Sequence, residues 1–204
     1  ARTWAMFDAK IRPLIDPVLN AQGARLAARG VRPDQVTLVG LGFGLLAAVL
    51  VAFGAMGWAL VAILLSRLAD GLDGAVARAG QPSDFGGYLD IVCDFAFYGA
   101  VPLAFVILDP SNGLAAAFLL FSFYVNGATF LGFAVLAEKR EMKTDERGVK
   151  TLYFTGGLLE GAETIGLFVL FCLVPGWFVP LAFVFGGFCL VTAVSRVLLA
   201  ARGF

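Results

Sequence analysis

Histidine is absent from the 204 residues. This excludes any mechanism that uses imidazole as base, nucleophile or metal ligand, including histidine-dependent transfer of the phospholipase D kind. Charge is scarce as well. Lys and Arg number 15, Asp and Glu number 15, and the formal net charge is zero. A neutral chain lacks the basic surface that nucleic acid binding requires. Cys93, Cys172 and Cys189 sit in apolar surroundings at no metal-like spacing, which reads as buried thiols and offers no disulfide framework. No stretch alternates long enough to build a membrane barrel.

What is present in excess is hydrophobic. Apolar residues make up 60% of the chain, against roughly 45–50% for a soluble domain. A membrane helix needs about 20 mostly apolar residues. Six stretches meet this, at about 35–56, 58–79, 86–108, 114–137, 151–174 and 178–200. Turn chemistry separates them at Ala55-Met56-Gly57, Asp109-Pro110-Ser111-Asn112-Gly113 and Pro175-Gly176.

The cations are distributed unevenly. Six precede the first stretch, Arg67 and Arg78 lie toward the end of the second, five cluster between the fourth and fifth, and Arg196 and Arg202 close the chain. The connections between the first and second, third and fourth, and fifth and sixth stretches hold none. An even number of spans with every cation on one side places both termini in the cytoplasm. The first thirty residues do not read as a signal peptide, because no long apolar run or small-residue cleavage site precedes residue 31. Trp4, Phe7, Ile11, Leu14, Ile15 and Val18 recur at helical spacing between charged residues, which predicts an amphipathic helix at the membrane interface. The fold expected is an all-α membrane protein. It has six transmembrane helices after an amphipathic N-terminal helix, in a single domain spanning 1–204. Residues 1–34 form the interfacial part and 35–200 the bundle.

Ionisable groups inside apolar helices are costly and mark function. Asp70 and Asp73 are three apart, and Asp90 and Asp94 four apart, so each pair shares one helix face. The loop between the two stretches is short, so the helices are expected to be antiparallel neighbours whose carboxylates meet at the cytoplasmic mouth. Four carboxylates at close range repel unless protonated or neutralised. Oxygen ligands without histidine suit Mg²⁺, Mn²⁺ or Ca²⁺ rather than zinc. Gly71, Gly74 and Ala77 strip one stretch of helix of bulk, which suits either close helix packing or a ligand approaching the backbone. A divalent-cation channel or transporter is the alternative that intramembrane carboxylates permit. It calls for a polar path through all depths, whereas these charges cluster at one interface.

The pattern Asp70-x2-Asp73-Gly74-x2-Ala77-Arg78-x7-Gly86-x3-Asp90-x3-Asp94 resembles the signature of the CDP-alcohol phosphatidyltransferases at all eight fixed positions. Its middle gap is seven residues, where many members have eight, and the difference falls in the loop. Pro33-Asp34-Gln35-Val36-Thr37 is similar to a short motif these enzymes carry just ahead of the first span. The resemblance implies transfer of a phosphatidyl group from CDP-diacylglycerol to an alcohol hydroxyl, with release of CMP. It implies Mg²⁺ or Mn²⁺ held by Asp70, Asp73 and Asp90 with Asp94 bordering the ions, and Asp94 as general base. Pro33, Asp34, Gln35, Val36, Asp73, Gly74, Ala77, Arg78 and Ser83 would face the nucleotide. It further implies a homodimer in the bacterial inner membrane, with its active site toward the cytoplasm.

The acceptor is less legible. Lys139, Arg147 and Arg196 suit a phosphate on the acceptor, such as glycerol phosphate or inositol phosphate; for the loop cations, plain positive-inside charge is the other reading. Glu160 lies in Gly156-Gly157-Leu158-Leu159-Glu160-Gly161-Ala162-Glu163, and it either shapes an acceptor pocket or pairs with Arg67 or Arg196. Tyr124-Val125-Asn126 is a further polar candidate, for which a helix–helix hydrogen bond is the simpler reading.

Overall fold

A computed structural model describes residues 7–80, 82–140 and 161–203, with side chains from residue 17 onward. Seven α-helices account for most of these residues, with no strand among them. They are α1 (Phe7–Ala28), α2 (Pro33–Ala52), α3 (Met56–Ala79), α4 (Asp84–Leu108), α5 (Gly113–Lys139), α6 (Gly161–Leu173) and α7 (Phe178–Gly203). The chain divides into two compact units, Ala1–Leu108 and Asp109–Phe204.

Four helical stretches are long and apolar enough to cross a membrane: Pro33–Ala52, Asp84–Leu108, Pro110–Lys139 and Pro175–Gly203. The second expected span, α3, differs from these because it carries Arg67 at its middle and Asp70, Asp73 and Arg78 beyond it. Of the fifth, only the 13 residues of α6 are described. The N-terminal helix forms, but the apolar residues from Trp4 to Ile15 that suggested its amphipathic face lie outside the described side chains.

In the first unit, α2 packs against both α3 and α4, and α1 packs on α3. Small residues let the backbones approach, as is usual between membrane helices. A Cβ on Gly40 would stand 3.2 Å from the Ala69 Cβ, and one on Gly44 would stand 2.8 Å from the Phe97 ring. Val36, Ala69 and Val76 form a buried cluster, with Leu26, Ala27, Val31 and Leu72 packed around it. The expectation that α3 and α4 are direct neighbours is corrected. They are not packed along their length. Instead α2 lies against both, and long side chains reach across the space between α3 and α4.

The connections show why the helices end where they do. Gly30 has φ +82° and follows α1, and Gly54 has φ +74° and follows α2. The N–H of Ala55 donates to the Leu50 carbonyl at 2.8 Å, and that of Gly54 to Val51 at 2.8 Å. Glycine reaches this left-handed conformation without a Cβ clash and closes the helix. The turn expected at Ala55-Met56-Gly57 therefore centres on Gly54, and Gly57 falls inside α3. Pro33 starts α2, where its missing N–H costs nothing.

In the second unit, α5 and α7 pack together. A Cβ on Gly186 would lie 2.7 Å from the Phe118 ring. Phe168, Phe171 and Phe178 are fully buried, with the Phe171 and Phe178 ring centres 4.7 Å apart. All three cysteines are free and buried, as their apolar surroundings suggested.

Candidate active site

The helical spacing of the aspartates sets the geometry. Asp70 and Asp73 leave one face of α3, and Asp90 and Asp94 leave one face of α4. All four line a single narrow cleft in the first unit, together with Thr37, Gly40, Leu41, Arg67 and Cys93. Asp73 is the most buried of them, at 8% exposure. The Thr37 hydroxyl on α2 donates to Asp73 Oδ2 at 2.6 Å and lies 3.2 Å from the Pro33 carbonyl. One turn of α2 thus fixes one oxygen of Asp73.

Arg67 holds the two aspartate pairs together. Its Nη1 donates to Asp94 Oδ1 at 3.0 Å and to Asp70 Oδ1 at 3.4 Å. Its Nη2 donates to the Ser66 hydroxyl at 3.2 Å, and its guanidinium carbon lies 5.1 Å from the centre of the Phe97 ring. The Tyr98 hydroxyl donates to Asp94 Oδ2 at 3.4 Å. Both oxygens of Asp94 are therefore engaged.

The other sequence candidates in this unit have definite places. Pro33 and Asp34 are half-buried at the start of α2. Gln35 is exposed, and its Oε1 accepts the Arg32 N–H at 3.0 Å. Val36 belongs to the buried cluster with Ala69 and Val76. Gly74 and Ala77 are half-buried on α3, and a Cβ on Gly74 would meet Arg78 Nη1 at 3.3 Å. Arg78 is exposed, and its Nη2 donates to Asn20 Oδ1 of α1 at 2.9 Å. Ser83 caps α4, its hydroxyl accepting the Gly86 N–H at 3.0 Å. Gly86 sits where a Cβ would be 3.1 Å from Asp34 Oδ1, which brings the Pro33 motif against the start of α4.

In the second unit, Lys139 is the exposed last residue of α5. Arg196 on α7 is 8% exposed. Its Nη1 donates to Asn126 Oδ1 at 2.9 Å, and its guanidinium lies 5.7 Å from the Phe130 ring centre. This is the helix–helix hydrogen bond read at Asn126. Arg147 and Glu160 lie outside the described residues.

Two side chains that hydrogen-bond the cleft aspartates, Thr37 and Arg67, were missed by the sequence reading. Thr37 stood in the quoted motif but was not taken as a site residue. Arg67, three positions before Asp70, was read as part of the positive-inside charge and as a partner for Glu160. The i,i+3 spacing to Asp70 was the signal that would have found it.

Four carboxylates in one cleft suit Mg²⁺ or Mn²⁺ in kind, since both are hard cations. Four carboxylates against one guanidinium leave the cleft a formal charge of −3. Among the described residues, no three acidic or cysteine side chains stand together at ligating distance.

Comparison with known proteins bears on the whole chain. The Escherichia coli K12 inner membrane protein YnjF is 47% identical over 196 residues, covering 94% of each chain. An archaetidylinositol phosphate synthase of Pyrococcus horikoshii is 40% identical over 89 residues, covering 42% of this chain and 46% of the relative. A phosphatidylinositol phosphate synthase of Streptomyces avermitilis is 37% identical over 112 residues, covering 53% of this chain and 46% of the relative. With four helices able to span a bilayer, the chain is an integral membrane protein. The CDP-alcohol phosphatidyltransferase model matches residues 31–199, and the chain belongs to that enzyme family, whose members are transferases.

Proposed function

We infer that the protein transfers the phosphatidyl group of CDP-diacylglycerol to a hydroxyl of a phosphorylated polyol, inositol phosphate first among the candidates. The observation that carries this is the cleft in which Asp70, Asp73, Asp90 and Asp94 converge from two helices. The choice of acceptor is supported by two relatives named as inositol phosphate lipid synthases.

Asp94 takes the proton of the acceptor hydroxyl. That oxygen attacks the phosphorus bearing the diacylglycerol, the diphosphate bridge breaks, and CMP leaves with the bridging oxygen. To act as base, Asp94 gives up one of its bonds to Arg67 or Tyr98. Asp70, Asp73, Asp90 and Asp94 would hold Mg²⁺ or Mn²⁺, which supplies charge neutralisation at the diphosphate. Pro33, Asp34, Gln35, Val36, Asp73, Gly74, Ala77, Arg78 and Ser83 serve the nucleotide. Lys139, Arg147, Glu160 and Arg196 serve the acceptor, with the basic groups meeting its phosphate.

The chain acts as one domain over residues 1–204, with an interfacial helix before six membrane spans. Both termini and the cleft face the cytoplasm of a bacterial inner membrane, and the working form is a homodimer. The cytoplasmic boundary suits the chemistry, because the acyl tails stay in lipid while nucleotide and acceptor arrive from water. The cation-channel reading has no support among the relatives, whose names include synthases and no channel.

The test uses purified protein with labelled CDP-diacylglycerol and separate acceptors: inositol phosphate, glycerol phosphate, free inositol and serine. Lipid products are read by mass spectrometry, with and without EDTA. The expected result is a phosphatidylinositol phosphate and stoichiometric CMP, both lost in EDTA and restored by Mg²⁺ or Mn²⁺. Product from free inositol or serine but not from a phosphorylated acceptor overturns the acceptor. No CMP release with any acceptor overturns the reaction.

A further inference from the structure

Arg67 is an anomaly within its own site. A guanidinium carries five N–H donors in a fixed plane, and here the charge is better served than the donors. Nη1 is shared between Asp94 at 3.0 Å and Asp70 at 3.4 Å, so one nitrogen holds one carboxylate from each helix. Nε is buried with no hydrogen-bond partner. The group rests on the Phe97 face at 5.1 Å, and its side chain is 21% exposed. This is a seat set by the negative field of the cleft, and it leaves a buried donor unmet.

The oxygens that Arg67 engages on Asp70 and Asp94 belong to the set that would ligate a divalent cation. We propose that Arg67 is a resident counter-ion, a positioning residue that ties Asp94 to Asp70 while the cleft is metal-free and is displaced when a divalent cation enters. The proposal rests on the metal-dependent reading above. One cation cannot occupy the Oδ1 positions of Asp70 and Asp94 while a guanidinium bridges them, because like charges at this range disfavour each other. Arg67 therefore does two things. It offsets carboxylate repulsion that would otherwise splay α3 from α4. It also keeps an oxygen of Asp94 engaged until the ion arrives, so that the base becomes available only in the loaded site.

The experiment measures metal binding without turnover. Mn²⁺ is titrated into purified wild type, R67Q and R67K in detergent, without substrate, and free Mn²⁺ is read by electron paramagnetic resonance. R67Q removes the competing charge and is expected to bind Mn²⁺ about tenfold more tightly, while melting at a lower temperature in EDTA. R67K keeps a cation and is expected to bind Mn²⁺ like wild type. A purely structural arginine would not tighten metal binding when lost. In wild type labelled with ¹⁵N-arginine, the Arg67 Nε–H resonance, assigned by its loss in R67K, is expected to shift on saturation with Mg²⁺. This measurement stands even where R67Q does not fold. Unchanged or weaker Mn²⁺ binding in folded R67Q, or an unmoved Nε–H resonance, overturns the proposal. Wild type that binds Mn²⁺ equally with R67Q removes only the role of Arg67, whereas wild type that binds neither ion removes the metal-dependent reading with it.

Discussion

Thr37 and Asp73 lie 36 positions apart in sequence and 2.6 Å apart in space, hydroxyl to carboxylate. The bond is buried and crosses from α2 to α3. It holds one oxygen of the least exposed aspartate, so its loss reaches both the stability of the first unit and the shape of the cleft. Thr37→Val keeps the volume and removes the donor. It is expected to lower stability by about 1–3 kcal/mol, the cost of a buried acceptor left unpaired. Thr37→Ser is expected to stay near wild type. Thermal unfolding in detergent checks both.

Asp94 is the proposed base, and its replacement separates chemistry from binding. Asp94→Asn is expected to slow CMP release by roughly 10²–10⁴-fold, the usual share of a general base. Binding of CDP-diacylglycerol, followed by equilibrium dialysis, should change little. Activity equal to wild type removes Asp94 from that role.

Gly44 faces the Phe97 ring so closely that a Cβ would stand 2.8 Å from it and 3.3 Å from the Ser66 hydroxyl. Phe97 is 1% exposed, so it has little room to yield. Gly44→Ala is expected to destabilise the protein by about 1–3 kcal/mol through overpacking. It should also disturb Arg67, which rests on that ring. Denaturation midpoints measured beside Gly42→Ala check this, because Gly42 has nothing within 4 Å of its built Cβ.

Ser83 was expected at the nucleotide, and the structure has it capping α4. The two roles give different results on substitution. Ser83→Ala is expected to cost about 1 kcal/mol of stability, and Ser83→Gly only a few tenths. If the cap is its main work, both variants keep the wild-type KM for CDP-diacylglycerol. A raised KM in both assigns the hydroxyl to the nucleotide.

The aspartates were legible because helical periodicity is rigid. Spacings of three and four put Asp70 with Asp73, and Asp90 with Asp94, on single faces, and the cleft contains all four. Four of the six expected spans were legible for a similar reason, since span length follows from bilayer thickness. What was not legible depends on a third element. The packing of α2 against both α3 and α4 uses glycines such as Gly40 and Gly44, and a glycine in sequence does not announce which neighbour it admits. Arg67 was obscured because a lone arginine in a membrane protein is also what positive-inside topology uses. Ser83 carried a local signal, a hydroxyl three residues before the N–H it accepts at the start of a helix, and the family motif drew attention away from it. The turn after α2 was misplaced by a few residues because several glycines lie close together, and only Gly54 takes the positive φ.

The contact between α1 and α3 has a mechanical side. A Cβ on Gly23 would stand 2.6 Å from the Ala75 carbonyl carbon, so at that point α1 bears on main chain, which cannot swing aside as a side chain does. Leu19 adds a second bearing point, 3.0 Å from where a Cβ on Gly71 would be. A side chain at Gly23 would therefore have to push α1 off the α3 backbone, and the segment from Gly71 to Ala75 is where that displacement would be felt.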